Sequence, residues 1–276
     1  MLYNRACEVK TVKNSKSYIR TDGIEFKYAK GESERNGKEI HPFHEIVFFM
    51  GKKAFLFSET VKTEVLPNTV IVIPKDCYHQ LNIIGEPDDY TRCTLNFYNI
   101  PELDCFIEGA TKKLLVTEAT PEIVFLFDKL IRACMSPSES DTLLLKAVLT
   151  VILSEIKTHT FINKGVCSSY DNVLSLKPIV QQCISYVSEN IGKSLSVTDI
   201  ARYLNISKSS LSHIFKSEMN TSLYHYILNK RLAIANDKIS KGIPVTTVAA
   251  ECGFKEYSGF YRQYKRMFGI PPSASR

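Results

Sequence analysis

Two stretches near the C-terminus decide the fold: VTDIARYLNISKSSLSHIFKSEM at 197–219 and VTTVAAECGFKEYSGFYRQYKRMF at 245–268. At an offset of 48, Val197 falls on Val245, Ile200 on Val248, Ala201 on Ala249, Leu204 on Cys252, Asn205 on Gly253 and Ile206 on Phe254. Past the turn the offset becomes 49, and Leu211 falls on Phe260, Phe215 on Tyr264, Lys216 on Lys265 and Met219 on Phe268. Each copy has the parts that two crossing helices need. A small residue, Ala201 or Ala249, permits close approach. A residue tolerant of positive φ stands at the turn, Gly253 freely and Asn205 as the next-best choice. Apolar positions on both sides bury the pair, and the second helix keeps a polar outer face. One such pattern is weak, because many helical hairpins match it; two copies in one region specify tandem helix-turn-helix units.

Working outward, the breaks carry helix signals. Pro178 suits a first helical turn, and Ser196 with Asp199 three residues on forms a capping-box-like pattern. Ser207 and Thr221 stand as caps for the next two helices, Pro244 opens a later one, Gly253 ends it, and Gly269-Ile270-Pro271-Pro272 stops the last. This predicts a seven-helix domain. Its long helix, Leu223–Ser240, spans about 27 Å at 1.5 Å per residue, which sets two reading helices near one DNA turn of about 34 Å. Charge agrees: residues 172–276 hold 14 Lys+Arg against 6 Asp+Glu, whereas residues 1–171 hold 21 against 23, within a chain of net charge +6. A basic surface of this kind binds a polyanion by releasing counterions, so double-stranded DNA is the expected partner.

The C-terminal ~100 residues resemble the DNA-binding domain of the AraC/XylS family of bacterial transcription regulators. The residues that carry the likeness are Ile200-Ala201, Leu204-Asn205-Ile206-Ser207, Leu211, Ile214-Phe215-Lys216, Arg231-Leu232 and Ala235. They continue with Val248-Ala249, Cys252-Gly253-Phe254, Phe260, Tyr264-Lys265 and Phe268-Gly269-Ile270-Pro271-Pro272. The tail departs from the frequent P-x-x-Y-R ending, with Ser273-Ala274-Ser275-Arg276 in its place. In the first reading helix, core-facing Leu211, Ile214 and Phe215 leave Lys208, Ser209, Ser212, His213 and Lys216 outward, and the resemblance favours Ser209, Ser212 and His213 as base-facing. In the second, core-facing Phe260 and Tyr264 leave Tyr257, Ser258, Tyr261, Arg262 and Lys265 outward. Arg262 is the best candidate for a bidentate contact to guanine. Lys208, Lys216, Lys230, Arg231 and Lys265 are expected on phosphates, which position without specifying.

The first half reads as β. Ile24–Tyr28, Glu45–Met50, Ala54–Ser58, Val70–Ile73 and Thr91–Tyr98 are short runs rich in β-branched and aromatic residues, separated by turn signals such as Asn36-Gly37, Gly51 and Pro67-Asn68. HPFHEIVFFMG at 41–51 and LPNTVIVIPKDCYHQL at 66–81 resemble the cupin-type barrel of the family's effector domains. His41, Glu45, Tyr78 and His79 are the ligand-pocket candidates. His41, Glu45 and His79 also stand where enzymatic cupins hold a metal, but Glu39 replaces a further His there. The reading is therefore a small-molecule pocket, with no metal, no cofactor and no catalytic residue. Two amphipathic helices follow, Glu122–Cys134 and Asp141–Lys157, joined through Ser136-Pro137-Ser138. They serve as a homodimer surface or pack on their own barrel.

Composition excludes other classes. None of the eight Cys forms a C-x-x-C pair, which argues against a zinc ribbon or a thioredoxin-like motif. The start, MLYNRACEVKTVKNSK, lacks a signal-peptide apolar core, and apolar runs such as Ile46–Met50 are too short for a bilayer. Free thiols suit a reducing cytoplasm. The expectation is an α+β chain: a cupin-like β-barrel with a helical hairpin at 1–165, a linker at 166–176, and an all-α domain with two helix-turn-helix units at 177–276. Its expected role is that of a transcription activator controlled by a small molecule and touching RNA polymerase. The alternatives are a regulator governed by abundance or a protein partner, and a metal-dependent cupin enzyme fused to a DNA-binding module.

Overall fold

A computed structural model of the chain describes residues 8–12, 16–21, 23–31, 40–59, 62–86, 89–97, 100, 114–135, 141–162 and 176–274. The expected linker at 166–176 lies outside these except for Leu176, as does Glu39.

Among the described residues, ten strands form two antiparallel sheets. They are β1 (Glu8–Val12), β2 (Lys16–Thr21), β3 (Ile24–Lys30), β4 (His44–Phe49), β5 (Ala54–Ser58), β6 (Lys62–Val65), β7 (Thr69–Ile73), β8 (His79–Ile83), β9 (Thr91–Phe97) and β10 (Leu115–Glu118). Seven pair in the order β1-β2-β3-β9-β4-β7-β10 and three in the order β6-β5-β8. Strands β4 and β7 are buried along their whole length, as a strand covered on both faces must be. Ile46, Phe48, Val70 and Val72 face one way; Val47, Phe49, Ile71 and Ile73 face the other, against Ala54, Leu56 and Val65 of the smaller sheet. The chain crosses between sheets at Gly51, where a Cβ would meet Asp89 O at 2.7 Å and the Phe49 ring at 2.8 Å, so only glycine fits. Because β5, β6 and β8 pair among themselves after that corner, the expected barrel is two facing sheets; they share no ladder among the described residues.

Helices α1 (Pro121–Met135) and α2 (Asp141–Ile162) lay Ile123, Phe127, Leu130, Leu145, Leu149 and Ile152 on the outer face of the large sheet. That apolar face is thus used within the chain. Phe125, Leu143 and Val151 on the hairpin are exposed.

The C-terminal region holds α3 (Pro178–Glu189), α4 (Val197–Tyr203), α5 (Lys208–Met219), α6 (Leu223–Ser240), α7 (Val245–Glu251) and α8 (Tyr257–Phe268), then a 3₁₀ turn at Pro272–Ala274 that takes the place of a seventh helix. Ser196 caps α4 by accepting from Asp199 N, and Ser207 caps α5 by accepting from Ser210 N. The cap of α6 is Ser222 rather than Thr221: Ser222 Oγ accepts from His225 N at 3.3 Å, while Thr221 is buried.

Candidate DNA-reading surface and a buried polar cluster

The two helix-turn-helix units repeat down to single hydrogen bonds. In the first turn Leu204 N donates to Ile200 O, Asn205 N to Arg202 O and Ile206 N to Ala201 O, at 3.0, 3.1 and 3.0 Å. In the second, Cys252 N donates to Val248 O, Gly253 N to Ala250 O and Phe254 N to Ala249 O, at 2.9, 3.0 and 3.1 Å. Both helices therefore end in the same left-handed cap, with φ +54° at Asn205 and +76° at Gly253. Gly253 carries a second demand: a Cβ there would meet the Arg231 guanidinium at 2.8 Å and Lys193 O at 3.0 Å. Ala201 and Ala249 are buried at the crossings.

The inward sides of the reading helices are Leu211, Phe215 and Met219 on α5, and Phe260 and Tyr264 on α8. Tyr264 OH is held by Asn236 Oδ1 of α6, which fixes α8 against the long helix. Ser209, Ser212 and His213 on α5 are exposed, as are Tyr257, Ser258 and Arg262 on α8, and Tyr261 is partly so. Lys208, Lys216 and Lys265 are exposed beside them. These ten side chains form the outward faces that the sequence assigned to bases and phosphates.

Two expected phosphate contacts are placed elsewhere. Arg231 is half-buried, donating from Nε to Ile191 O at 3.0 Å and from a terminal nitrogen to Lys193 O at 2.6 Å. It ties α6 to the loop before α4. Lys230 Nζ lies 2.8 and 3.0 Å from the two carboxylate oxygens of Glu59, at the end of the small sheet. Tyr226 OH donates to the same carboxylate at 3.0 Å. Burial, and then the Glu59 charge, push the Tyr226 phenol well above its ordinary range.

The pocket candidates divide. Tyr78 is fully buried but points at the helical region: its OH donates to Met219 O at 3.3 Å, and its ring meets Tyr226 edge-on at 5.7 Å. Ile40 and Tyr78 thereby join the core of α3 to α6. No periodicity marks Glu59 or Tyr78 as docking residues, since their partners stand 141–171 positions away.

His41, Glu45 and His79 do come together, all buried, with one ligating atom of each within 4.8 Å of the others. His41 Nε2 and His79 Nε2 lie 3.3 and 3.2 Å from the same oxygen, Glu45 Oε2. Burial alone would raise the Glu45 carboxyl; the hydrogen bonds and charges of His41 and His79 outweigh it and hold the group well below the usual carboxylate range.

Comparison with known proteins places the helical region. Residues 200–276 match a family model described as a helix-turn-helix domain. The chain is 34% identical over 107 residues to the Msm operon regulatory protein of Streptococcus mutans, covering 37% of each chain. It is 25% identical over 158 residues to the arabinose operon regulatory protein of Escherichia coli K12, covering 56% of this chain and 51% of that one. The chain spans about a third of the length of the first curated relatives it matches. Among solved structures, ToxT from Vibrio cholerae O395 aligns over 92% of this chain and 97% of its own, at 12% identity and a TM-score of 0.41.

Proposed function

With a C-terminal helix-turn-helix domain of the AraC/XylS type as the premise, we propose that this chain is a transcription regulator whose N-terminal sheets hold its DNA-binding helices through a direct docking contact. One observation carries this reading: the Glu59 carboxylate, on the N-terminal side, grips Tyr226 and Lys230 of the helix that joins the two reading units. Tyr78 adds a second point on Met219, at the C-terminal end of the first reading helix. An effector that shifts these two points shifts the population of docked and released DNA-binding domains. In the docked state Lys230 is tied to a carboxylate. In the released state it can meet a phosphate. Docking is then the restrained state, and release raises DNA affinity.

In this reading the protein does no chemistry of its own. It reads two successive major grooves with α5 and α8: Ser209, Ser212, His213, Tyr257, Ser258, Tyr261 and Arg262 meet base edges, while Lys208, Lys216 and Lys265 meet phosphates. Its output is activation through RNA polymerase, and its effector is a small molecule held at the His41–Glu45–His79 end of the sheets. The exposed Phe125, Leu143 and Val151 give the hairpin a surface for a homodimer. Among the described residues no helix is long and apolar enough to cross a membrane.

The test is recovery of bound DNA from a random library with the full-length chain, followed by titration of the best site with and without candidate effectors. Selected sites should carry two short motifs about one helical turn apart. Recovery of no sequence preference would end the reading.

A further inference from the structure

We propose that Arg231 is a positioning residue that fixes the distance and phase between the two reading helices, and with them the spacing of the two DNA motifs that the chain accepts. Two separate apolar cores meet on α6. Leu223, Tyr226, Ile227 and Ala233 belong to the core of the first unit. Leu228, Leu232, Ala235 and Ile239 belong to the core of the second. Units that share one helix can still rock against each other, because packed helices slide by small amounts. A contact that joins the units away from α6 removes that freedom.

Three pieces of chain meet at such a contact beside the middle of α6. Arg231 Nε donates to Ile191 O at 3.0 Å and Nη2 to Lys193 O at 2.6 Å. Both carbonyls stand in the turn that leads from α3 into the first unit. The same guanidinium lies beneath Gly253, at the turn of the second unit, where an added Cβ would meet Nη2 at 2.8 Å and Cζ at 3.0 Å. Gly192, between the two carbonyls, faces the end of α7: a Cβ there would meet Glu251 O at 2.5 Å. Gly192 has no positive φ, so it is the approach of the second unit's backbone that requires glycine. The turn is itself braced, with Lys193 N donating to Asn190 O at 2.9 Å and Asn190 Nδ2 to Tyr186 O at 2.9 Å. Met267 of α8 packs on both cores.

Arginine suits this place because its planar fork spans two carbonyls in one fixed geometry, whereas lysine offers a point charge on a flexible stem. DNA turns the junction into specificity. One base pair more between two motifs moves the second by about 3.4 Å along the axis and turns it by about 35°. A second reading helix held by the junction does not follow, and its base contacts are lost. This rests on the reading in the preceding subsection that α5 and α8 enter successive grooves.

The test titrates the full-length chain by anisotropy on a selected two-motif site and on versions with one or two base pairs added or removed between the motifs. A single mismatched base pair costs roughly 5–150-fold in affinity, so wild type should lose at least about 10-fold on a mis-spaced site. Arg231→Lys keeps the charge and loses the fork; Gly192→Ala drives a methyl group against Glu251 O. Both should bind the native spacing more weakly. Their penalty for mis-spaced sites should shrink below the roughly 5-fold of one mismatch, or their optimum should move by one base pair. Base preferences within each motif should stay as in wild type. A wild type that accepts every spacing equally would overturn the proposal. So would variants that weaken all spacings by one factor, which makes Arg231 a structural residue only. A salt slope lowered by about one in Arg231→Met would return that side chain to the phosphates. Should Arg231→Lys lose its fold by circular dichroism, Gly192→Ala and Gly253→Ala, which press on the same junction from either side, decide by the same criterion. Recovery of no sequence preference defeats the preceding reading itself, whereas two motifs bound at any spacing defeat only the junction.

Discussion

Replacing Glu59 by Gln tests the docking contact most directly. The substitution keeps size and one acceptor oxygen while deleting the charge that Lys230 faces at 2.8 Å. The two side chains are 16% and 18% exposed, so the pair lies between two regimes. Exposed pairs contribute about 0.2–1 kcal/mol. Breaking a fully buried pair costs about 3–5 kcal/mol, because one charge is left without its partner. An intermediate cost of about 1–3 kcal/mol follows, and Tyr226, which donates to the same carboxylate, puts it toward the upper half. Carried into the docked–released equilibrium, that range corresponds to roughly 5–150-fold in DNA affinity. Glu59→Gln should therefore bind a selected site more tightly. Its salt slope should steepen by about one phosphate contact, since Lys230 is released.

The assay is anisotropy titration of full-length protein at several salt concentrations, run on a cycle of wild type, Glu59→Gln, Lys230→Met and the double variant. Thermal unfolding of the same four proteins gives the coupling energy, expected at about 1–3 kcal/mol. Coupling within error of zero would mean that the ion pair does not hold the regions together. A Glu59→Gln protein that binds DNA more weakly would invert the mechanism, making the docked form the DNA-binding one.

Other consequences can be measured separately. Residues 172–276 expressed alone should bind DNA with a clear negative log–log salt slope; a slope near zero would refute phosphate contact by this region. Arg262→Ala should cost about 1–3 kcal/mol on the best site and relax preference at one base pair, whereas Lys265→Ala should weaken all sequences alike and lower the salt slope by about one. Identical behaviour of the two on a randomised library would show that the faces of α8 are misassigned. Gly253→Ala should lower stability by about 1–2 kcal/mol from its left-handed backbone, plus the displacement of Arg231. Asn205→Gly, at the equivalent turn, should change stability by well under 1 kcal/mol, and thermal unfolding compares them.

Legibility followed the range of the forces involved. The tandem units were readable because their determinants are local: a small crossing residue, a left-handed turn, and apolar spacing repeated at 48 and 49. The fully buried β4 and β7 were readable as β-branched runs. Strands β6 (KTEV), β8 (HQLNI) and β10 (LVTE) were not, because they are short and half polar, and partner strands rather than their own composition make them extended. Thr221 and Ser222 present adjacent hydroxyls, and only burial of the first decides which one caps. The hairpin's apolar period was correct, but periodicity does not say whether the covering surface is a second chain or the chain's own sheet. The His41–Glu45–His79 cluster was legible as three residues.

The basic residues show why charge counting and geometry must be separated. Lys230 and Arg231 are neighbours on α6, and by composition both belong to the DNA-binding patch. In the structure they serve different ends. Arg231 is bound to two carbonyls and lies beneath Gly253, all within the DNA-binding region, so release of docking leaves it where it is. Lys230 is bound to a side chain of the other region, so release frees it. On the proposed docking mechanism, docked protein offers Lys208, Lys216 and Lys265 to phosphates from the predicted set, and released protein offers one more. Removing Arg231 should damage folding of the domain in both states, whereas removing Lys230 should change the salt slope only where Glu59 no longer holds it. The same slope measured on Glu59→Gln with and without Lys230→Met isolates that single contact, and an unchanged slope would place Lys230 away from DNA in both states.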